Sequence, residues 1–168
     1  MIFSLQILLL SLVLGFIHLD TLVFGQFMLH RPIVVGPLVG FLLGIPQYGV
    51  LIGMIFELIY ISVIPVGVKI PSDVTSAVAF CVISYKFTEK CAVLPFIFGV
   101  IVGILFKKMD LFTRSVNSMV IGWLDTSKDE VVIKRVNLLV LYGILVTYLK
   151  AVFFYLLIAP IIVYLTVI

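Results

Sequence analysis

The chain has 168 residues, 64% of them hydrophobic and 11% charged, whereas a soluble domain carries about 25% charged residues to cover its surface. That balance excludes a water-soluble enzyme, a disulfide-built secreted scaffold and a disordered tail, and it places the chain in a lipid bilayer. The net charge of +3 comes from 11 basic against 8 acidic residues dispersed along the chain, which is no nucleic-acid footprint.

Ile2 to Leu19 is apolar, lacks a basic n-region and a small-residue cleavage site, and fills the ~20 residues of a membrane span. It is expected as a retained helix. A mixed stretch follows from Asp20 through Gln26 to His30-Arg31-Pro32. The apolar run Ile33 to Ile45 reaches only about 20 Å at ~1.5 Å per residue, short of the ~30 Å hydrocarbon core, which predicts a tilted or re-entrant helix. Val50 to Val66 is a better span, interrupted by Glu57. Pro65 to Asp73 then holds two prolines, a glycine and two charges in nine residues and is expected to be non-helical.

Val74 to Tyr85 and Cys91 to Phe106 read as a helical hairpin around the polar turn Lys86 to Lys90. Residues 107–135 carry six of the eleven basic residues and are expected as a cytoplasmic loop. Within it Met109, Phe112, Val116, Met119 and Trp123 recur at helical spacing, which predicts an amphipathic helix in the membrane interface. The last run, Val136 to Ile168, is interrupted by Lys150 and Pro160 and is expected as one tilted or kinked membrane helix. The expected fold is an all-α integral membrane protein in a single domain, 1–168. It has five to six hydrophobic helices, including a short re-entrant one, broken helices around the Pro/Gly loop and one interfacial helix.

A charged side chain at mid-bilayer costs about 2.5–3.5 kcal/mol on insertion scales, so each charge at membrane depth should face a cavity, a partner or a substrate. Glu57 is the clearest case. Gly49, Gly53 and Glu57 recur every four residues on one helix face, and Gly36, Gly40 and Gly44 form a similar strip on the preceding short helix, so that the two faces can pack closely. The plainer alternative for Glu57 is neutralisation by Arg31 or Lys69. Asp73 precedes an apolar helix and is suited to cap it; a broken helix at membrane depth also offers backbone groups to a polar substrate. Neutral sugars need such donors and acceptors, and Gln26, Glu57, Asp73 and Asp20 are available. His18 is expected only as a hydrogen-bonding residue within the bundle, and Lys150 to snorkel to the surface. Cys81 and Cys91 read as ordinary buried thiols. The sequence shows no phosphate loop, nucleophile elbow or metal motif, so no catalytic residue, metal ligand or cofactor is assigned.

The run His30-Arg31-Pro32-Ile33-Val34-Val35-Gly36-Pro37-Leu38-Val39-Gly40, then Leu43-Gly44, Gly49-Val50-Leu51-Ile52-Gly53 and Phe56-Glu57-Leu58-Ile59, resembles the membrane subunit IIC of the mannose/fructose/sorbose family of bacterial sugar phosphotransferase systems. Ile64-Pro65-Val66-Gly67 and Pro71-Ser72-Asp73-Val74 are similar to that family's proline-glycine loop and the helix start after it. The likeness covers residues 20–80 in order. It implies a multi-pass protein of the bacterial inner membrane that translocates a hexose-class sugar as part of an oligomer. A membrane subunit IID would stand beside it, and soluble IIB, fed by IIA and a phosphocarrier protein, would supply the phosphoryl group. Glu57, Asp73, His30 and Arg31 match the shared motif and are the implied sugar-binding residues, with Gln26 in the approach to it. The chain departs from the family at Ile45-Pro46-Gln47-Tyr48, at Lys69, and in being shorter than most members. The last departure raises an alternative: a shortened, non-transporting structural or regulatory component that assembles through its glycine-rich faces.

Overall fold

The computed structural model describes residues 2–20, 27–61, 71–88, 92–122 and 129–167. These residues form six helices: α1 (Ile2–Asp20), α2 (Pro32–Leu42), α3 (Pro46–Tyr60), α4 (Val74–Thr88), α5 (Val93–Gly122) and α6 (Asp129–Val167). No strand occurs among the described residues. One stretch, Val136–Leu165 in α6, is long and apolar enough to cross a membrane, while α2, α3 and α4 are shorter apolar helices.

The centre of the bundle is α4. Every residue from Thr75 to Ser84 is buried, the pattern of a helix surrounded on all sides, and α4 packs against α2, α3, α5 and α6. Phe80 stacks on Tyr155 of α6 with ring centroids 5.2 Å apart, and the Tyr155 hydroxyl lies 2.9 Å from Ser76 Oγ. Small residues let α5 come close: a Cβ at Gly99 would lie 2.9 Å from Cys81 Cβ, and one at Gly103 would lie 2.6 Å from Asp73 O. The outer faces of α3 and α6 are apolar and exposed, with Leu58, Leu138 and Tyr164 among the barest side chains.

The α2–α3 hairpin follows from its prolines and glycines. Pro32 and Pro46 open the two helices at the position where a missing N–H costs nothing. Gly44, at φ 75°, ends α2 in the left-handed region that glycine enters without strain. The Ile45 N–H then donates to Gly40 O (2.8 Å) and the Gly44 N–H to Phe41 O (3.1 Å), the paired bonds of a Schellman turn. The chain reverses, and the two glycine faces meet. A Cβ on Gly36 would fall 2.7 Å from Gly53 Cα, and one on Gly40 would fall 2.8 Å from Gly49 Cα. The close approach expected from the sequence is present, with one correction. Gly44 has open space around it and belongs to the turn, not to the packing strip.

Three further expectations are corrected. Residues 107–122 are not a loop: α5 continues through Lys107 without a break, because no proline or glycine interrupts the helical pattern until Gly122. The amphipathic segment is therefore the second half of α5 and not a separate helix, although Trp123 itself lies outside the described residues. Likewise α6 starts at Asp129, so residues 129–135 extend the last helix. Lys150 does not reach the surface; its side chain is 6% exposed. The proline-glycine loop over 62–70 and Cys91 lie outside the described residues, whereas Cys81 is buried as expected.

Candidate functional site

Asp20, at the end of α1, is 1% exposed and organises the turn that leads into α2. Its two oxygens accept the backbone N–H groups of Phe27 and Leu29, each at 2.9 Å. Met28 between them takes a left-handed φ of 63°, and the Arg31 N–H donates back to Met28 O at 3.1 Å. His30 Nδ1 lies 3.5 Å from the same carboxylate. Asp20 is thus occupied with the backbone. It does not line the cavity described below, so of the acids available by sequence it is the one held by the fold.

Glu57 projects from the last turn of α3 toward the start of α2. One oxygen pairs with the Arg31 guanidinium, and the other accepts the Ile33 N–H at 3.3 Å. The carboxylate therefore sits at the positive end of α2, where the unsatisfied N–H groups favour an anion.

Asp73 does two jobs with one oxygen. Oδ2 accepts the Ser76 N–H at 2.7 Å, the N-cap bond expected from its place before α4, and lies 3.3 Å from His18 Nε2. The His18 ring reaches Leu14 O through Nδ1 at 2.9 Å, so it stands between a carbonyl and a carboxylate, both acceptors. The Asp73 N–H donates to Gly103 O at 3.1 Å, which ties the same residue to α5.

A third acid completes the arrangement. Asp110 of α5 accepts from Arg114 Nε at 2.8 Å and from Lys150 Nζ of α6 at 2.7 Å. Lys150 also lies 5.4 Å from the centroid of the Phe106 ring, within cation–π range.

These groups border one cavity of about 340 Å³, at the lower end of the ~300–1,000 Å³ typical of small-molecule sites. Its wall takes His18 from α1, His30 and Arg31 from the lead into α2, Glu57 and Tyr60 from α3, Asp73 from the lead into α4, and charged residues of α5 and α6. Four of the five residues singled out in the sequence, Glu57, Asp73, His30 and Arg31, thus border a single space. Gln26 lies outside the described residues. The other cavities differ in kind: the one lined by Tyr48, Leu51, Phe56 and Phe96 is almost wholly apolar.

Each acid on the wall faces a partner as well as the cavity: Glu57 has Arg31, Asp73 has His18 and a backbone N–H, and Asp110 has two cations. The plainer alternative for Glu57, neutralisation by Arg31, is realised. His18, Asp110 and Lys150 were missed as cavity residues. For His18 and Lys150 the available signal was rarity, since each is a lone basic side chain in an apolar run, whereas Asp110 stands among Lys107, Lys108 and Arg114 and carried no such signal.

The profile of the family described as PTS system sorbose-specific IIC component matches residues 4–167 of the chain. No curated protein matches it. Agreement over that span gives no support to the shortened, non-transporting alternative. With a helical bundle, a stretch long and apolar enough to cross a membrane, and a family match over residues 4–167 in place, the chain belongs to the sorbose-type IIC family and is a sugar-transport membrane component of a phosphotransferase system, in which IIA and IIB carry the phosphoryl transfer.

Proposed function

We propose that the 340 Å³ cavity is the sugar site, that it takes a hexose-class sugar, and that the sugar is phosphorylated there or on leaving by a separate IIB subunit. The observation that carries this reading is the convergence of Glu57, Asp73, His30 and Arg31 on one cavity. A carboxylate offers about four acceptor sites and a guanidinium five donors, so the Glu57–Arg31 pair and Asp73 retain capacity for hydroxyl groups after their bonds within the protein. Arg31 and Glu57 present a donor and an acceptor side by side, the pairing that vicinal hydroxyls require. Gln26 joins this reading by its place in the sequence alone. The chain would cross the bacterial cytoplasmic membrane several times, with α2–α3 as a re-entrant hairpin, in an oligomer with the membrane subunit IID and served by the phosphocarrier protein through IIA.

The test is uptake of labelled sugar in cells that co-express the partner subunits. Glu57→Gln and Asp73→Asn should each lower uptake by about tenfold or more, the scale of one lost hydrogen bond to a charged group. Membrane insertion should persist, because Asn remains a good helix cap. Normal uptake by the double variant would overturn the assignment. Coupling to IIB is read separately: sugar phosphate should accumulate only when IIB is present.

A further inference from the structure

The cavity wall is not charge-balanced. Four permanent cations border it, Arg31, Lys107, Arg114 and Lys150, against three carboxylates, Glu57, Asp73 and Asp110. The surplus is local. Arg31 is matched by Glu57, whereas on α5 and α6 Asp110 alone serves both Arg114 and Lys150. Lys107, half-buried on the same wall, has no acidic partner among the described residues. A neutral sugar gives no reason for this excess. The buried Lys150 already meets Asp110, whereas Lys107 is half-buried and the Arg114 side chain is 55% exposed, so the unmatched charge is open to an incoming anion.

We propose that Lys107, Arg114 and Lys150 form an anion subsite that holds the phosphoryl group of the phosphorylated sugar, while the Glu57–Arg31 and Asp73 side holds its hydroxyls. The inference rests on the sugar-site reading and deepens it. Lys107 and Arg114 belong to the half of the chain richest in basic residues, where the positive-inside tendency places the cytoplasmic face on which IIB works. A phosphoryl group carries about two negative charges and three acceptor oxygens, enough to satisfy Lys107 and the unmatched half of the Arg114–Lys150–Asp110 set together. The subsite holds the newly charged phosphoryl group away from the carboxylates of Glu57 and Asp73, which repel it, and it is a binding site only; no bond is made or broken by these residues.

The test uses the full chain in lipid nanodiscs and measures binding of hexose, hexose 6-phosphate, hexuronate and inorganic phosphate to the wild type and to Lys107→Gln. Lys107 takes no part in the Asp110 network, so its neutral variant keeps the α5–α6 pairing. Hexose 6-phosphate should bind the wild type more tightly than hexose, and Lys107→Gln should weaken it by about tenfold, the scale of one charge-assisted hydrogen bond, with hexose affinity unchanged. Equal affinity of variant and wild type for hexose 6-phosphate overturns the subsite even if hexose binds, which leaves the sugar-site reading standing. Conversely, Lys107-dependent binding of hexose 6-phosphate without measurable binding of any hexose sustains the subsite and sinks the neutral-sugar reading. Hexuronate or inorganic phosphate binding more tightly than hexose 6-phosphate overturns the phosphosugar assignment in favour of an acidic sugar or a free anion.

Discussion

The α2–α3 hairpin and the α5–α6 pair border the same cavity and are joined by opposite means. In the hairpin, glycines bring backbone against backbone, and Gly36 faces Gly53 with no room for a methyl group. Between α5 and α6 a buried polar contact, Lys150 Nζ to Asp110 Oδ1 at 2.7 Å, bridges residues forty positions apart in the chain. The first joint is most sensitive to volume, with one ion pair, Glu57 to Arg31, at its open end. The second should tolerate volume and depend on charge.

Adding bulk to the hairpin is the severest way to test that contrast. Gly36→Leu should destabilise the protein by more than ~3 kcal/mol, because the nearest atoms are backbone and cannot swing aside; thermal unfolding in detergent would show it, and a native-like melting curve would break the comparison. On the other joint, Lys150→Met should cost about 2–3 kcal/mol by leaving Asp110 with Arg114 alone, and the double variant Lys150→Met, Asp110→Leu should regain much of that loss. If the double variant is as unstable as the single one, charge is not what joins α5 to α6. A smaller effect is expected at the hairpin turn. Gly44→Ala has room for its methyl group, so its loss of ~1 kcal/mol comes from the left-handed backbone alone. Smallest is Gly143→Ala on α6, where nothing lies within 4 Å of the new carbon. It should stabilise the helix by about 0.5–1 kcal/mol, the ordinary glycine-to-alanine gain.

The same contrast separates what was legible in the sequence from what was not. The hairpin could be read because its signals are local: glycines four apart define a helix face, and Pro46 after Gly44 marks a turn. The partner of Asp110 could not be read that way, since helix periodicity says which residues share a face but not which distant helix that face meets. For the same reason His18 passed as an ordinary bundle residue, although it meets Asp73 from fifty-five positions away. The division of 107–122 from α5 failed for a different cause. A rise in polarity does not end a helix without a stop signal, and no proline or glycine occurs between Lys107 and Gly122. The glycines at 99 and 103 were equally visible by spacing and went unread, which shows that small residues inform only when the opposing surface is known.

Asp73 also has a mechanical consequence. Through its carboxylate and its own N–H this one residue fastens α1, α4 and α5 together, while the hairpin is stiffened internally by Glu57 and by its glycines. Between these two solid pieces run apolar contacts, two neutral hydroxyl links, Tyr60 to Ser72 at 3.1 Å and Thr75 to His30 O at 3.0 Å, and, at the α1 end, the contacts of the Asp20 carboxylate with Phe27, Leu29 and His30. Apart from Asp20, no ion pair among the described residues crosses that border, so α4 and the hairpin are registered by shape more than by charge.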